Sequence, residues 1–390
     1  MTCHPRFHMV SKAKKTPKLV TTVFLLLLPS KLFSVDLPLL YDGCTLRVAA
    51  EVEKKPAYLI FDTGCTISAL DKTKYQSQLG EPVAHVRASS IGGLMDMPLY
   101  RSLQIILGNE IEYFDRIAAI DLSRVTAISG SECDGVLGAD FAQRHVVSIN
   151  FDRRLIEVED GAGERTSPNA IRLELKPIGN GNFAVDARVD GVPITLMIDT
   201  GDNGSISLNA EDWRRVMRAH PDVNVQTTLA LPISAAPLKS AAFRLDDLTV
   251  GPNHYHGFIA TEIPNPHGPS TLGLRFLRQH IVRFDFQKRE LFLKSGSAFG
   301  ETEVFDMSGL HLIRPNGATL VYAVDDGSPA DAAGIQAGDV VEKVNEVPAT
   351  NLSMREIRRA LKASDGGVIS IEIQRSGQVQ DEHLRLRKIL

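Results

Sequence analysis

The chain has 390 residues, the length of about two or three ordinary domains. Its 43 Lys and Arg residues nearly balance its 47 Asp and Glu residues, so the net charge of −4 provides no basic field that would gather nucleic acid. A hydrophobic content of 43% and a charged content of 23% exclude a disordered chain and a multi-span membrane protein. Four cysteines are too few for a disulfide scaffold.

The first predicted element is a targeting segment. Residues 1–18 carry five basic side chains and no acidic one, and residues 19–28 form a short apolar run. That run is too short to cross a hydrocarbon core of ~30 Å as a helix. We therefore expect residues 1–35 to be a signal peptide for export to the periplasm or the extracellular space, with an uncleaved membrane anchor or a buried helix as the alternatives.

An internal repeat follows the targeting segment. Residues 51–64 (EVEKKPAYLIFDTG) align with residues 188–201 (RVDGVPITLMIDTG), and residues 136–154 align with residues 271–289. The two alignments differ in spacing by only two residues, which one loop change explains. The chain therefore contains two copies of one unit.

The two copies are predicted to occupy residues 36–160 and 170–296. Short apolar runs with turn signals between them predict strands in each copy, and Asn209 is the expected N-cap of a helix in the second. Polar stretches at 160–169 and 296–303 are predicted linkers.

Each copy carries Asp-Thr-Gly directly after a hydrophobic strand, at residues 62–64 and 199–201. A single such tripeptide is typical of a polar turn, but two at matching repeat positions exceed chance. Two carboxylates brought together across a pseudo-twofold axis must share one proton. The ionised one then deprotonates a water while the protonated one donates to a carbonyl oxygen, so Asp62 and Asp199 are candidate catalytic residues.

Together with the later runs Val136-Leu137-Gly138 and Thr271-Leu272-Gly273, these tripeptides resemble those of retropepsin-like aspartic proteases. The resemblance implies a mainly β protein with two β-barrel lobes related by pseudo-twofold symmetry, acting as a monomer with an intramolecular pseudo-dimer. It also implies one flap, in the first lobe, because residues 229–237 of the second copy lack the glycines. The flap residues that it implies are Ile91, Gly92 and Gly93. Independently of the resemblance, a threonine hydroxyl can bond across the axis and a glycine lets the backbone approach a carboxylate, so the candidate loop-locking residues are Thr63, Gly64, Thr200 and Gly201.

Two residues depart from that family's pattern, since Cys65 and Asp202 stand where a small residue is usual. Asp202 is either a third carboxylate that perturbs the shared proton or part of a surface turn, and the turn is favoured. Cys65 is either a small buried residue or a disulfide partner for Cys44 or Cys133. A nucleophilic role for Cys65 is disfavoured because no recognisable motif positions a histidine.

Histidines at equivalent repeat positions, His145 and His280, raise the question of a metal site. Packing behind the glycine motif is the favoured interpretation of both. His254 and His256 could share one strand face, but no third ligand is evident in the sequence. We expect no metal and no cofactor.

The C-terminal module, residues 304–390, is unlike the repeated units. Its pattern SPA-x-x-AG-x-x-x-GD-x-V resembles that of PDZ domains, β-rich modules with two helices that capture a peptide tail as an added strand beside one helix. The alternative is an intramolecular brace or a dimer contact. Arg358 and Arg359 are expected on a solvated helix face. The predicted peptide-binding residues are Gly309, Leu310, His311 and Leu312 of the carboxylate loop and Ile357 and Leu361 of the helix.

These patterns predict an exported aspartic endopeptidase that hydrolyses proteins or peptides and uses its PDZ domain to recruit peptide tails or regulate access. One alternative is a non-catalytic peptide-binding protein that keeps the cleft and the groove without turnover. Another is a protease that becomes active only after multimerisation or processing.

Overall fold

The computed structural model describes residues 34–90, 93–101, 103–161, 168–179, 181–230, 237–264 and 268–390. The predicted targeting segment lies outside these residues, except that Ser34 and Val35 already belong to the first strand, where Val35 is buried. No helix in the described ranges is long and apolar enough to cross a membrane.

The first unit is mostly β, and the short apolar runs of the sequence form its strands. Its elements are β1 (Ser34–Pro38), β2 (Leu40–Tyr41), β3 (Leu46–Val52), β4 (Lys55–Phe61), β5 (Ala69–Asp71), α1 (Gln76–Leu79), β6 (Ala84–Ser90), β7 (Gly93–Arg101), β8 (Ile105–Leu107), β9 (Glu110–Glu112), β10 (Arg116–Ile120), α2 (Ser123–Ser129), β11 (Gly135–Leu137), α3 (Ala139–Ala142), β12 (Val146–Asn150) and β13 (Leu155–Glu159).

The second unit has its corresponding strands in the same chain order. Its elements are β14 (Ile171–Glu174), β15 (Lys176–Pro177), β16 (Phe183–Val189), β17 (Val192–Ile198), β18 (Ile206–Leu208), α4 (Ala210–Ala219), β19 (Val225–Ala230), β20 (Leu238–Arg244), β21 (Leu248–Val250), β22 (Asn253–Tyr255), β23 (Ile259–Glu262), β24 (Thr271–Leu272), α5 (Leu274–Leu277), β25 (His280–Asp285) and β26 (Glu290–Ser295).

The strand order is the same in the main sheets of the two units. It runs β6-β7-β10-β5-β11-β4-β3-β8-β9 in the first and β19-β20-β23-β18-β24-β17-β16-β21-β22 in the second. In each, the strand before Asp-Thr-Gly pairs in parallel with the strand before the later glycine, β4 with β11 and β17 with β24. The repeat in the sequence is therefore also a repeat in topology.

A further sheet joins the two units, with the order β1-β13-β12-β25-β26-β14. Its two halves meet where β12 pairs antiparallel with β25, and equivalent strands lie at equal distances from that junction. This arrangement is a pseudo-twofold one. One continuous buried cluster draws side chains from both units, which fixes their relative position.

Local sequence explains several of these elements. Glu53 and Lys54 adopt positive φ values of 49° and 64° in the turn between β3 and β4, a two-residue hairpin geometry. Asn209 caps α4 as predicted, because its side chain accepts from the backbone N–H groups of Glu211 and Asp212.

The C-terminal module has its own sheet, in the order β27-β28-β29-β31-β32, and its own buried cluster. Strand β27 is an edge strand of this sheet. Its helices and strands are β27 (Leu310–Ile313), β28 (Thr319–Val324), α6 (Pro329–Ala332), β29 (Val340–Val344), β30 (Val347–Pro348), α7 (Met354–Ala360), β31 (Val368–Arg375) and β32 (Gln378–Arg385).

The connection at 296–303 differs from the linker that its polar composition predicted. Glu303 is buried in an ion pair with Arg275, with Nη1 and Oε1 2.7 Å apart, and accepts from the Ser205 hydroxyl. Phe299 packs against the His280 ring. These contacts hold the segment against the second unit, so it is a packed connection.

Candidate active site

Asp62 and Asp199 meet at the centre of the two repeated units. Each follows a central strand, and its backbone N–H donates to the matching carbonyl across the parallel pair, Leu137 O for Asp62 at 3.0 Å and Leu272 O for Asp199 at 3.1 Å. The two carboxyl groups lie side by side, and each affects the ionisation of the other. The predicted dyad is therefore assembled within one chain.

The two threonines lock the loops by a reciprocal exchange. The Thr63 N–H donates to Thr200 Oγ1 at 3.0 Å, and the Thr200 N–H donates to Thr63 Oγ1 at 3.1 Å. Each hydroxyl then donates to the strand of the other unit, to Ile198 O and Phe61 O, at 2.8 Å in both cases. Both side chains are buried, so these bonds set the spacing of the two loops.

The two glycines let the loops approach closely. A Cβ built on Gly64 would lie 2.5 Å from the Asp199 carboxyl group, and one built on Gly201 would overlap the Asp62 carboxyl group. The Gly64 N–H donates to Asp62 Oδ1 and the Gly201 N–H donates to Asp199 Oδ1, both at 2.8 Å. Any larger residue at either position would force the carboxyl groups apart.

Burial and like charge set the protonation of the pair. Burial raises the pKa of Asp62 above its ordinary value. The pKa of Asp199 is raised well above its ordinary value by burial first and then by the charges of Asp62 and Asp202. With both pKa values raised, the two carboxyl groups share one proton between them.

Asp202 combines both roles that the sequence left open. Its carboxylate accepts from Gly204 N at 2.8 Å, from the Ser207 hydroxyl at 2.7 Å and from the Thr271 hydroxyl, which anchors the turn after Asp199. Its charge also raises the pKa of both catalytic candidates.

In the first unit, Asp140 anchors the equivalent loop. Its carboxylate accepts from the Ser68 N–H and the Ser68 hydroxyl, and that hydroxyl accepts from Gly138 N. The two units therefore fix their loops with aspartates from different sequence positions.

Asn182 is a further residue of the site. From the second unit its side-chain amide donates to both Thr63 O and Gly64 O at 3.0 Å, and the side chain is buried. It therefore holds the loop of the first unit from across the interface. No sequence signal marked it, because Thr45 stands at its repeat position.

Cys44, Cys65 and Cys133 are free thiols in this structure, so neither disulfide alternative for Cys65 is realised. The Cys65 thiol donates to Ile67 O at 3.1 Å, and burial together with the Asp62 charge raises its pKa. Cys44 does lie beside the second loop, where Asn203 Nδ2 donates to its sulfur at 3.4 Å.

His145 and His280 pack behind the glycine motifs in matching ways. The His145 ring lies 4.8 Å from the Phe141 ring, and the His280 ring lies 4.9 Å from the Phe276 ring. His254 contacts Asp247 at 2.9 Å. Among the described residues no group of three His, Cys, Asp or Glu side chains is arranged to hold a metal ion.

A hairpin forms where the flap was predicted. Strands β6 and β7 pair in register from Ala84 with Leu99 to Ser90 with Gly93, and Gly93 has a φ of 113°. Ile91 and Gly92 lie outside the described residues. The second unit has a corresponding hairpin of β19 and β20, which pairs from Val225 with Phe243 to Ala230 with Leu238.

The residues predicted to bind a peptide tail come together in the C-terminal module. Gly309 has a φ of 77°, and His311 Nε2 lies 2.8 Å from Asp325 Oδ1. The four apolar ones are buried in the core of the module: Leu310, Leu312, Ile357 and Leu361. Arg358 of α7 donates to Leu312 O of β27 at 3.4 Å, so α7 lies beside the edge strand to which the resemblance adds a peptide, and we call this place the peptide groove.

Comparison with known proteins identifies this module. Residues 320–375 match the family model of the PDZ domain. The PDZ match lies wholly within the C-terminal module and assigns nothing to the two repeated units. No curated protein matches the chain.

One expectation from the sequence is wrong, namely that Arg358 and Arg359 both lie on a solvated face of the PDZ domain's helix. Arg359 is exposed as predicted, but Arg358 is not on a solvated face. Its guanidinium donates to Ile128 O of the first unit and to Leu312 O of β27, the latter at 3.4 Å. The expectation was wrong because the first unit covers that side of α7.

Proposed function

We propose that this protein is a retropepsin-like aspartic endopeptidase. The observation that carries the proposal is the symmetric pair of Asp62 and Asp199, locked by the exchange between Thr63 and Thr200. A paired, half-buried carboxyl dyad with one shared proton suits the addition of water to an amide. The proposed substrates are proteins or peptides, lying between the dyad and the hairpin of β6 and β7.

The proposed reaction uses the one proton that the pair shares, and we assign that proton to Asp199 at the start. Asp62 accepts a proton from a water, whose oxygen bonds to the carbonyl carbon of the substrate, while Asp199 gives its proton to the carbonyl oxygen. In the second step the proton on Asp62 passes to the amide nitrogen as the C–N bond breaks. Asp199 then takes back its proton from the hydroxyl group as the new carboxylic acid forms.

Two other parts of the chain indicate where the proposed protease acts and how it meets its substrates. The basic and apolar N-terminal residues favour export, which would place the enzyme in the periplasm or outside the cell. A PDZ domain is generally a peptide-binding module, so we propose that it recruits or regulates peptide substrates.

Cleavage of an unfolded protein tests the proposal. The full chain is incubated with the substrate from about pH 3 to pH 7, alongside Asp62→Asn, Asp199→Asn and the exposed control Asp246→Asn. We expect cleavage by the wild type and the control, and a loss of about a thousandfold or more in each dyad variant. Cleavage that survives in either dyad variant refutes the mechanism, and peptide binding without any cleavage favours a non-catalytic binding protein.

A further inference from the structure

The peptide groove of the PDZ domain is in contact with another part of the same chain. A ligand strand would add to the free edge of β27, between that edge and α7. At the residue that directly follows β27, the Arg314 N–H donates to Ala127 O at 2.6 Å. Ala127 belongs to α2 of the first unit, so a backbone bond of the kind that a peptide ligand would make is already formed internally.

Two more contacts hold α2 at the groove. Arg358 of α7 bridges Ile128 O and Leu312 O, and thereby ties the helix, the edge strand and the first unit together. Gly130, which ends α2 with a φ of 70°, lies so close to Met354 of α7 that an added Cβ would overlap its side chain. The last turn of α2 with its cap, residues 127–130, therefore contacts both sides of the groove, and we call it the 127–130 turn.

At the other end of the groove, backbone N–H groups of the carboxylate loop are already hydrogen-bonded to side chains of the PDZ domain itself. Asp306 Oδ1 accepts from the N–H groups of Ser308 and Gly309, both at 2.8 Å. The Ser308 hydroxyl accepts from Leu310 N at 3.1 Å. An incoming peptide carboxylate must displace these groups before it gains the amide donors.

From these contacts we propose that the 127–130 turn is the resident ligand of the PDZ groove, and that a peptide tail of more than about four residues with a free carboxylate binds only by displacing it. A tail whose carboxylate sits at Gly309 runs along β27 towards Arg314, at about 3.3 Å per residue. After about four residues it reaches the place that Ala127 O holds. Tails longer than that compete with α2.

Displacing the 127–130 turn would also affect the cleft that holds Asp62 and Asp199. This part of the inference rests on the proposed function. Leu122 and Val125, at the start of α2, share a buried cluster with Met97 and Leu99 of β7. Strand β7 is one side of the hairpin proposed to cover the substrate. A tail bound to the PDZ domain therefore loosens the support of that hairpin and regulates access to the dyad.

Hydrogen–deuterium exchange on the full chain tests the internal contact. Arg358→Gln removes the bridging guanidinium, and Gly130→Asn keeps an αL-compatible residue while pressing on Met354. Their controls are the exposed Arg359→Gln and Gly191→Asn, since Gly191 has a φ of 79° in a two-residue hairpin turn and open space around it. We expect faster exchange in segments 123–131 and 310–316 in the first two variants only, by about tenfold or more.

A fluorescent peptide of about ten residues ending in a free leucine carboxylate tests displacement, because it spans all of β27. The opened variants should bind it at least about tenfold more tightly than the wild type and the controls. Equal exchange in all variants, equal binding by wild type and Arg358→Gln, or no binding by the opened variants overturns the proposal. Neither readout requires cleavage, so the result stands apart from the test of the protease.

Discussion

Asp62 and Asp199 occupy equivalent positions of the repeat but have different neighbours. Cys65 follows the first Asp-Thr-Gly and Asp202 follows the second, so Asp199 lies nearer a further negative charge. The two members of a symmetric pair therefore have different electrostatic surroundings. The sequence predicted the pair because both tripeptides follow buried strands. It did not predict Asn182, which acts through a contact between units rather than through a motif.

Removing the charge of Asp202 should shift the pH profile of cleavage. That charge raises the pKa of both dyad members, so Asp202→Asn lowers the pKa at which the pair loses its shared proton. The alkaline side of the kcat/KM profile therefore moves to lower pH. Asparagine retains an oxygen for Gly204 N and an amide for the two hydroxyls, so the turn is kept. A profile that stays in place or moves to higher pH contradicts this assignment, and Asp246→Asn serves as the control.

The threonine exchange predicts a clear difference between two substitutions. Thr63→Val removes the hydroxyl that donates to Ile198 O and accepts from Thr200 N, which leaves two buried groups unpaired. We expect a loss of about 2 kcal/mol or more in the free energy of unfolding, together with lower kcat/KM. Thr63→Ser keeps the hydroxyl and should lose much less. Urea unfolding measures both variants, and equal stabilities would show that the exchange does not hold the loops.

At the scale of elements, short apolar runs predicted the strands well where both faces of a strand are buried. Leu59, Ile60 and Phe61 of β4 are one such run. The same reasoning failed for α7, because an amphipathic pattern shows which face meets the module's own core but not what covers the other face. The partner of Arg358, Ile128, lies 230 residues away in the sequence. The prediction of a linker at 296–303 was wrong for a similar reason, because its polar composition does not show that Glu303 is buried in an ion pair with Arg275.

His280, the first residue of β25, should make the stability of the folded protein depend on pH. Burial among aromatic rings lowers the pKa of His280 from 6.5 to about 4. Between these values the unfolded chain binds a proton that the folded chain does not, so stability falls as the pH drops through this window. The loss is on the order of 3 kcal/mol.

His280→Phe should flatten this dependence, whereas the exposed His383→Phe should leave it unchanged. Urea unfolding at several pH values between about 7 and 4 measures the slopes. An unchanged slope in His280→Phe would show that this buried imidazole is not the group responsible.

At the scale of the whole molecule, the repeat predicted two units that share one topology, and the strand orders agree with it. It could not predict how the PDZ domain sits on them, because that placement depends on backbone groups such as Ala127 O and Arg314 N rather than on any residue type. Both carboxyl groups of the proposed dyad come from the same chain, one from each repeated unit.

Mixing two inactive variants tests whether the active site forms within one chain. Asp62→Asn and Asp199→Asn are each assayed for cleavage of an unfolded protein, alone and then mixed in equal amounts. A dyad formed within one chain predicts that each variant is inactive and that the mixture is inactive too, because every chain lacks one carboxylate. Activity in either variant alone, or activity restored in the mixture by sites formed between chains, would contradict it.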